Sequence, residues 1–196
     1  MIKIFCVNTQ TTKTFNEGVT LQDILPEFDF PKPYPIIAAK VNNVCQGLKY
    51  RAFNSRQVEF IDYTSYAGRS VYCSSLCFLL CKAARDIWPE CKVTLRRPIS
   101  KGYFCAVDKR DGTVLTQADA DARNTRMQHL VDADLSFRRY EVKTEEAISM
   151  FEQMGYSDKV KLLQTAGDVY VNYYMLEDTA DYYYEALVPS TGYLKV

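Results

Sequence analysis

The chain opens on alternation. Ile2, Ile4 and Cys6 fall on one side of residues 2–7, and Lys3, Phe5 and Val7 on the other, the two-residue period of a half-buried strand. The polar run Asn8–Thr12 makes a turn and Lys13–Phe15 resumes extended structure, so the pair reads as a hairpin. Thr20 is a candidate N-cap for a short helix, with Asp23 three residues on and Leu21, Ile24 and Leu25 on one face; Pro26 limits it. Pro31, Pro33 and Pro35 stiffen the approach to a strand at Ile36–Val41. Asn42-Asn43 is a turn signal, and Val44–Leu48 pairs back. Val58–Asp62 is one more strand.

From Arg69 the period lengthens. Residues 71–87 read as a helix, apolar at Cys73, Leu76, Cys77, Leu80, Cys81, Ala84 and Ile87, and Pro89 closes it. Lys92–Arg97 and Gly102–Val107 are strands joined by Pro98–Lys101. Thr116 caps a helix running to about Val131. After a strand at Phe137–Val142, Thr144 with Glu145 and Glu146 opens a helix to Met154, its acidic first turn suited to the helix dipole. Gly155 breaks it, and Ser157 caps a second helix that ends near Gly167. Val169–Leu176 and Tyr182–Val188 read as paired strands, and Pro189–Gly192 is a turn before Tyr193–Val196. The chain stops just inside this new extended segment, and the expectation is that more protein follows. The class is α+β. The opening order of hairpin, short helix, hairpin and final strand is that of a β-grasp, in which a small mixed sheet wraps one helix.

Composition narrows the functions. Lys and Arg number 24 and Asp and Glu 24, a net charge of zero, so nothing long-range draws the chain to nucleic acid or an anionic membrane, although a local basic patch is compatible with it. The chain lacks both an uninterrupted run of about 18 apolar residues and a signal-peptide core after Met1. The expectation is a cytoplasmic protein without a membrane span. The seven cysteines are odd in number and three recur every four residues, a poor disulfide framework that suits a reducing compartment. Tyrosine occurs 15 times, with bursts at Tyr170–Tyr174 and Tyr182–Tyr184. Strands with one packed face account for such bursts, and so does stacking on a base or a peptide.

Candidate chemistry is thin. Cys73, Cys77 and Cys81 share a helical face at metal-ligand spacing, but zinc needs about four ligands and the surroundings are apolar, so buried structural thiols are expected and no metal. His129 is the single histidine and reads as a surface residue, so no Cys-His or Ser-His-Asp arrangement is supported. Neither a GxxxxGK(S/T) phosphate loop nor a GxGxxG fingerprint occurs. Lys92, Arg96, Arg97 and Lys101, with Tyr103 and Phe104 beyond them, form the best basic-aromatic cluster. It suits phosphate or single-stranded nucleic acid, or is the solvated face of a hairpin.

Four phrases carry a resemblance: Cys73–Leu80, Lys101–Cys105, Thr144–Phe151, and Asp181–Gly192 with its close Val188-Pro189-Ser190-Thr191-Gly192. In order and spacing the first part of the chain resembles the TGS domain, a ubiquitin-like β-grasp, and the rest resembles the editing domain shared by threonyl- and alanyl-tRNA synthetases. The implied domains are 1–64, TGS-like, and 65–196, editing-like. In that family two histidines four apart match Cys73 and Cys77, and a cysteine and a histidine match Tyr183 and Leu187. The changed positions imply a segment without catalytic residues of its own, whose candidate cleft residues are Cys73, Cys77, Lys101, Tyr103, Tyr183 and Leu187. The phrases Ser75–Phe78 and Pro98–Cys105 also resemble the front of a bacterial nucleoside (uridine) kinase-like protein. That likeness implies a regulatory or ligand-binding segment, a kinase domain following in cis, ATP and magnesium held by that domain, and a nucleotide or RNA ligand here. The alternative is a tRNA- or RNA-binding module, or one retaining residual aminoacyl-tRNA editing.

Overall fold

In this computed structural model the backbone is described for residues 1–99 and 102–196, and the side chains for 1–95 and 102–196. Two compact units are present: Met1–Ser136 with Glu185–Val196, and Phe137–Tyr184.

The larger unit begins with β1 (Ile2–Cys6) and β2 (Thr11–Phe15), followed by β3 (Val19–Thr20) and α1 (Leu21–Ile24). β4 (Ala38–Val41), β5 (Val44–Gly47), β6 (Arg51–Ala52) and β7 (Arg56–Ile61) come next. The main sheet has the order β2-β1-β7-β4-β5. The central pair β1–β7 is parallel and its other pairs are antiparallel, the mixed sheet of a β-grasp. The alternation read from residues 2–6 is realised: Ile2, Ile4 and Cys6 are buried. They meet Leu21 and Ile24 of α1, Phe28, Leu48, Val58 and Phe60 in one core. Each fully buried side chain of this size contributes roughly 1.5–3 kcal/mol relative to exposure.

Local chemistry explains the turns. Thr20 Oγ1 accepts the Asp23 N–H at 3.1 Å, and the Asp23 carboxylate accepts the Thr20 N–H, a reciprocal cap that starts α1. Asn42 and Asn43 adopt φ of 46° and 66°, the left-handed pair required by a two-residue hairpin that follows the strand twist. The short pair β3–β6 has no sequence signal, since two residues cannot display a period.

α2 (Tyr66–Ile87) begins a turn earlier than its apolar period. Ser65 caps it by accepting the Gly68 N–H at 3.0 Å. A Cβ on Gly68 would come within 1.7 Å of the Asp62 carbonyl oxygen, so only glycine permits this close entry. The buried row of α2 is also rotated from the expected one: Val71, Ser75, Phe78, Leu79 and Lys82 lie inside, whereas Cys73, Cys77 and Leu80 are half-buried. Two polar residues in that row hid it. Ser75 is satisfied by hydrogen bonds, and Lys82 by an ion pair to Asp86 at 2.6 Å. Asp86 also accepts from Arg126 on α3 (Gln117–Asp132), which packs beside α2. A buried ammonium requires such a partner.

Between these helices run β8 (Lys92–Ile99) and β9 (Gly102–Asp108). Rather than linking the strands, Pro98 and Ile99 continue β8 past a register shift between Leu95 and Pro98. Proline lacks a ladder donor and is tolerated at such an irregularity. Thr116 and Asp119 form the second reciprocal cap, at the start of α3.

The smaller unit is a three-stranded antiparallel sheet, β10 (Arg138–Lys143), β11 (Tyr170–Leu176) and β12 (Thr179–Asp181), with α4 (Thr144–Gln153) and α5 (Ser157–Ala166) on one face. Gly155 and Gly167 end the helices at φ of 76° and 72°. Tyr182–Val188, expected as the partner of β11, is not a strand. β12 turns back immediately at Glu177-Asp178, and the Tyr182 N–H is taken by the Asp181 carboxylate at 2.7 Å, which ends the ladder there.

Gly68→Ala is expected to lower the urea midpoint of unfolding, by a destabilisation on the order of 2–4 kcal/mol, because the obstructing atom is backbone and cannot rotate away. Gly112→Ala, which meets nothing within 4 Å but has φ of 77°, is expected to cost only about 1 kcal/mol.

Candidate functional site

The site is assembled in the larger unit from one side of α2, from β9 and from the returning segment Glu185–Val188. Cys73 and Cys77 sit on successive turns of α2, outside its buried row. β9 brings Tyr103 within electrostatic reach of both α2 thiols, and Cys105 within reach of Cys77. Burial pushes the Cys77 thiol up to about 11, with Cys105 and Cys73 adding to the shift. Burial likewise raises Cys73 against the pull of Arg69, and Cys105 against the pull of Arg123. Tyr103 is raised by burial first and then by both α2 thiols and Glu185. At neutral pH these are protonated thiols, poor as nucleophiles and as metal ligands. Among the described residues no three His, Cys, Asp or Glu side chains are grouped to hold a metal ion.

The returning segment is fixed from behind by Ser75. Its hydroxyl donates to the Val71 carbonyl at 2.7 Å and accepts the Val188 N–H at 2.9 Å, with both ends buried. Ala186, Leu187 and Val188 are buried. On another side the Leu187 carbonyl approaches Gly47 so closely that a Cβ there would lie 3.5 Å from it. Downstream, Thr191 Oγ1 donates to the Leu130 carbonyl and accepts the Leu135 N–H. The Asp134 carboxylate accepts from Ser190 Oγ and from the Gly192 N–H. The phrase Pro189–Gly192 is thus a clamp on the end of α3, more than the turn its residues suggest. Nothing local in the sequence marks the partners, which lie about 60 or 110 residues away.

The structure therefore brings Cys73, Cys77 and Tyr103 together. It adds Cys105 and Glu185, which sequence reasoning did not select. Leu187 is 3% exposed and acts as packing. Tyr183 is half-buried and belongs to the smaller unit. Lys101 lies outside the described residues, as do the side chains of Arg96 and Arg97, so of the basic-aromatic cluster only Lys92, Tyr103 and Phe104 are described, all exposed. His129 is exposed on the last turn of α3. All seven cysteines are free. Among the described residues no helix is long and apolar enough to cross a membrane.

Comparison with known proteins gives one consistent answer. The chain is 25% identical over 184 residues to the threonine–tRNA ligase of Syntrophomonas wolfei subsp. wolfei, covering 93% of this chain and 29% of that protein. It is 24% identical over 195 residues to the enzyme of the same name from Azobacteroides pseudotrichonymphae, covering 100% and 30%. A third, from Fusobacterium nucleatum subsp. nucleatum, is 28% identical over 162 residues, covering 81% and 26%. No family model matches. The chain spans less than a third of the length of these relatives. The fold is α+β and resembles the TGS-like, ubiquitin-like module followed by the threonyl-tRNA synthetase editing-like module.

These relatives correct the nucleoside-kinase expectation. Every one of the matches described is to a threonine–tRNA ligase, and they align along 81% or more of the chain. The supposed regulatory segment of a uridine kinase, the kinase domain in cis and that domain's ATP and magnesium fall together. The phrases Ser75–Phe78 and Pro98–Cys105 are short beside a match that runs along 81% or more of the chain. The RNA-directed alternative fits the relatives better.

Ser75→Ala is expected to cost about 1–3 kcal/mol in chemical denaturation, because the Val188 N–H is left buried and unpaired. Alkylation of Cys77 by iodoacetamide, followed by peptide mass spectrometry, is expected to remain slow at pH 8 and to climb only toward pH 11. The same raised value makes the folded state hold its proton longer than the unfolded one. The contribution of Cys77 to stability is therefore complete below about pH 9 and declines as pH rises through about 11.

Proposed function

We propose that this chain is a tRNA-binding, editing-like module of the threonyl-tRNA synthetase type, in which the hydrolytic chemistry of that module is absent. The observation that carries the reading is the collinear match to threonine–tRNA ligases along 93–100% of the chain. It supports residues 1–64 as the TGS-like domain and 65–196 as the editing-like domain. The self-contained core of residues 2–60 agrees with the first. The same relatives support a parent protein of the aminoacyl-tRNA synthetase class that acts on tRNA, and seven free thiols suit a cytoplasmic location for it.

The proposed cleft is lined by Cys73, Cys77 and Tyr103. Ester hydrolysis needs a base near the operating pH, or a metal-bound water. Protonated thiols at two positions and a buried leucine at Leu187 offer neither. What remains is a phenol beside thiol donors, suited to holding an RNA terminus or an aminoacyl group without cleaving it.

Titration of the protein into fluorescent threonine-specific tRNA is expected to show saturable binding that weakens with salt. The log–log slope should reflect several phosphate contacts at about −0.9 each on duplex RNA, taking the duplex-DNA value as a guide. A flat titration at low salt would refute the reading.

A further inference from the structure

The sheet of the smaller unit carries a second feature that the cleft does not use. On β10 the residues Arg138, Tyr140 and Val142 share one face, opposite Met175, Tyr173 and Val171 of β11. α4 and α5 cover the valine end of that face, where Val142 and Val171 join Ala147, Phe151 and Leu163 in one core. On β10 this face opens to solvent at Arg138 and Tyr140, while Met175 and Tyr173 opposite them are half-buried. The Tyr140 and Tyr173 rings are stacked at 5.4 Å between centroids and 17° between planes. Tyr173 is held edge-on by Phe151 at 6.3 Å, so the ring under Tyr140 is fixed. Tyr140 itself is 40% exposed.

Charge selects the occupant. Along this face of β10 and β11 the single charged residue is Arg138, which is exposed; Glu141 alternates to the opposite face. β10 is also an edge strand. A planar ring backed by a second ring, with a guanidinium two residues away and no carboxylate on the same strand face, suits a base with its phosphate. We infer that Tyr140, supported by Tyr173 and with Arg138 beside it, is a stacking platform for one unpaired nucleotide of the bound RNA, an RNA contact separate from the cleft. This rests on the tRNA-binding reading above and adds a residue-level site to it.

The test compares the wild type with Tyr140→Ala, Tyr140→Phe and Arg138→Ala in anisotropy titrations. The probes are threonine-specific tRNA, a short oligoadenylate and a fully paired RNA hairpin stem. Tyr140→Ala is expected to raise Kd for tRNA and oligoadenylate by about ten-fold and to leave the paired stem unchanged. Tyr140→Phe keeps the ring and is expected to retain wild-type affinity, which separates stacking from misfolding. Arg138→Ala is expected to flatten the salt slope for oligoadenylate by about 0.7. If the wild type binds tRNA and Tyr140→Ala binds it equally well, the platform is refuted and the broader reading stands. Equal losses for Tyr140→Ala and Tyr140→Phe also refute it, as does an equal loss on the paired stem. If the wild type binds no RNA, both readings fail.

Discussion

The hydroxyl of Ser75 is the joint on which the proposed site depends. It is buried inside α2, and its donor is spent on that helix's own Val71 carbonyl. Its remaining acceptor capacity takes the amide of Val188, 113 residues later in the chain. A buried amide has no water to fall back on, so this bond fixes where the returning segment can lie. Thr191 and Asp134 then lock the following residues onto the end of α3. With the segment pinned at these points, Glu185 is held within electrostatic reach of Tyr103, and Leu187 is sealed into the packing.

That fixed frame gives the side chains at the site their meaning. A thiol is versatile when a cation or a helix N-terminus lowers its pKa. Here burial and neighbouring thiols act in the opposite direction, and Cys77 is driven to about 11. Leu187 cannot donate, accept or coordinate. In the proposed module the editing-like scaffold carries protonated thiols and a packed leucine at these positions. Holding a ligand needs no titrating group near neutrality. Hydrolysis does.

How much was legible in the sequence follows from the range over which each constraint acts. The strands β1, β4, β5 and β7, both reciprocal caps at Thr20 and Thr116, and the Asn42-Asn43 turn depend on residues a few positions apart, and all could be read directly. The buried row of α2 could not. Ser75 and Lys82 look solvent-facing, and only Val188 and Asp86 make them interior residues. The start of α2 was hidden for a related reason, since Gly68 is required by the carbonyl of Asp62 and not by helix propensity. Tyr182–Val188 has the composition of a strand, yet its backbone donors go to Asp181 and Ser75. At the site, the stripe of Cys73 and Cys77 was visible from spacing. The company of Cys105 and Glu185 was not, because β9 and the returning segment arrive from distant parts of the chain.

The proposed module holds tRNA and leaves its aminoacyl ester intact. Its most direct test is the survival of the ester on a mischarged threonine-specific tRNA, mixed with protein in excess at neutral pH and followed by acid-gel electrophoresis. The same decay is expected with and without protein, under conditions where the complex is saturated. An acceleration of ten-fold or more that is lost on replacing Cys73 and Cys77 by serine would contradict it.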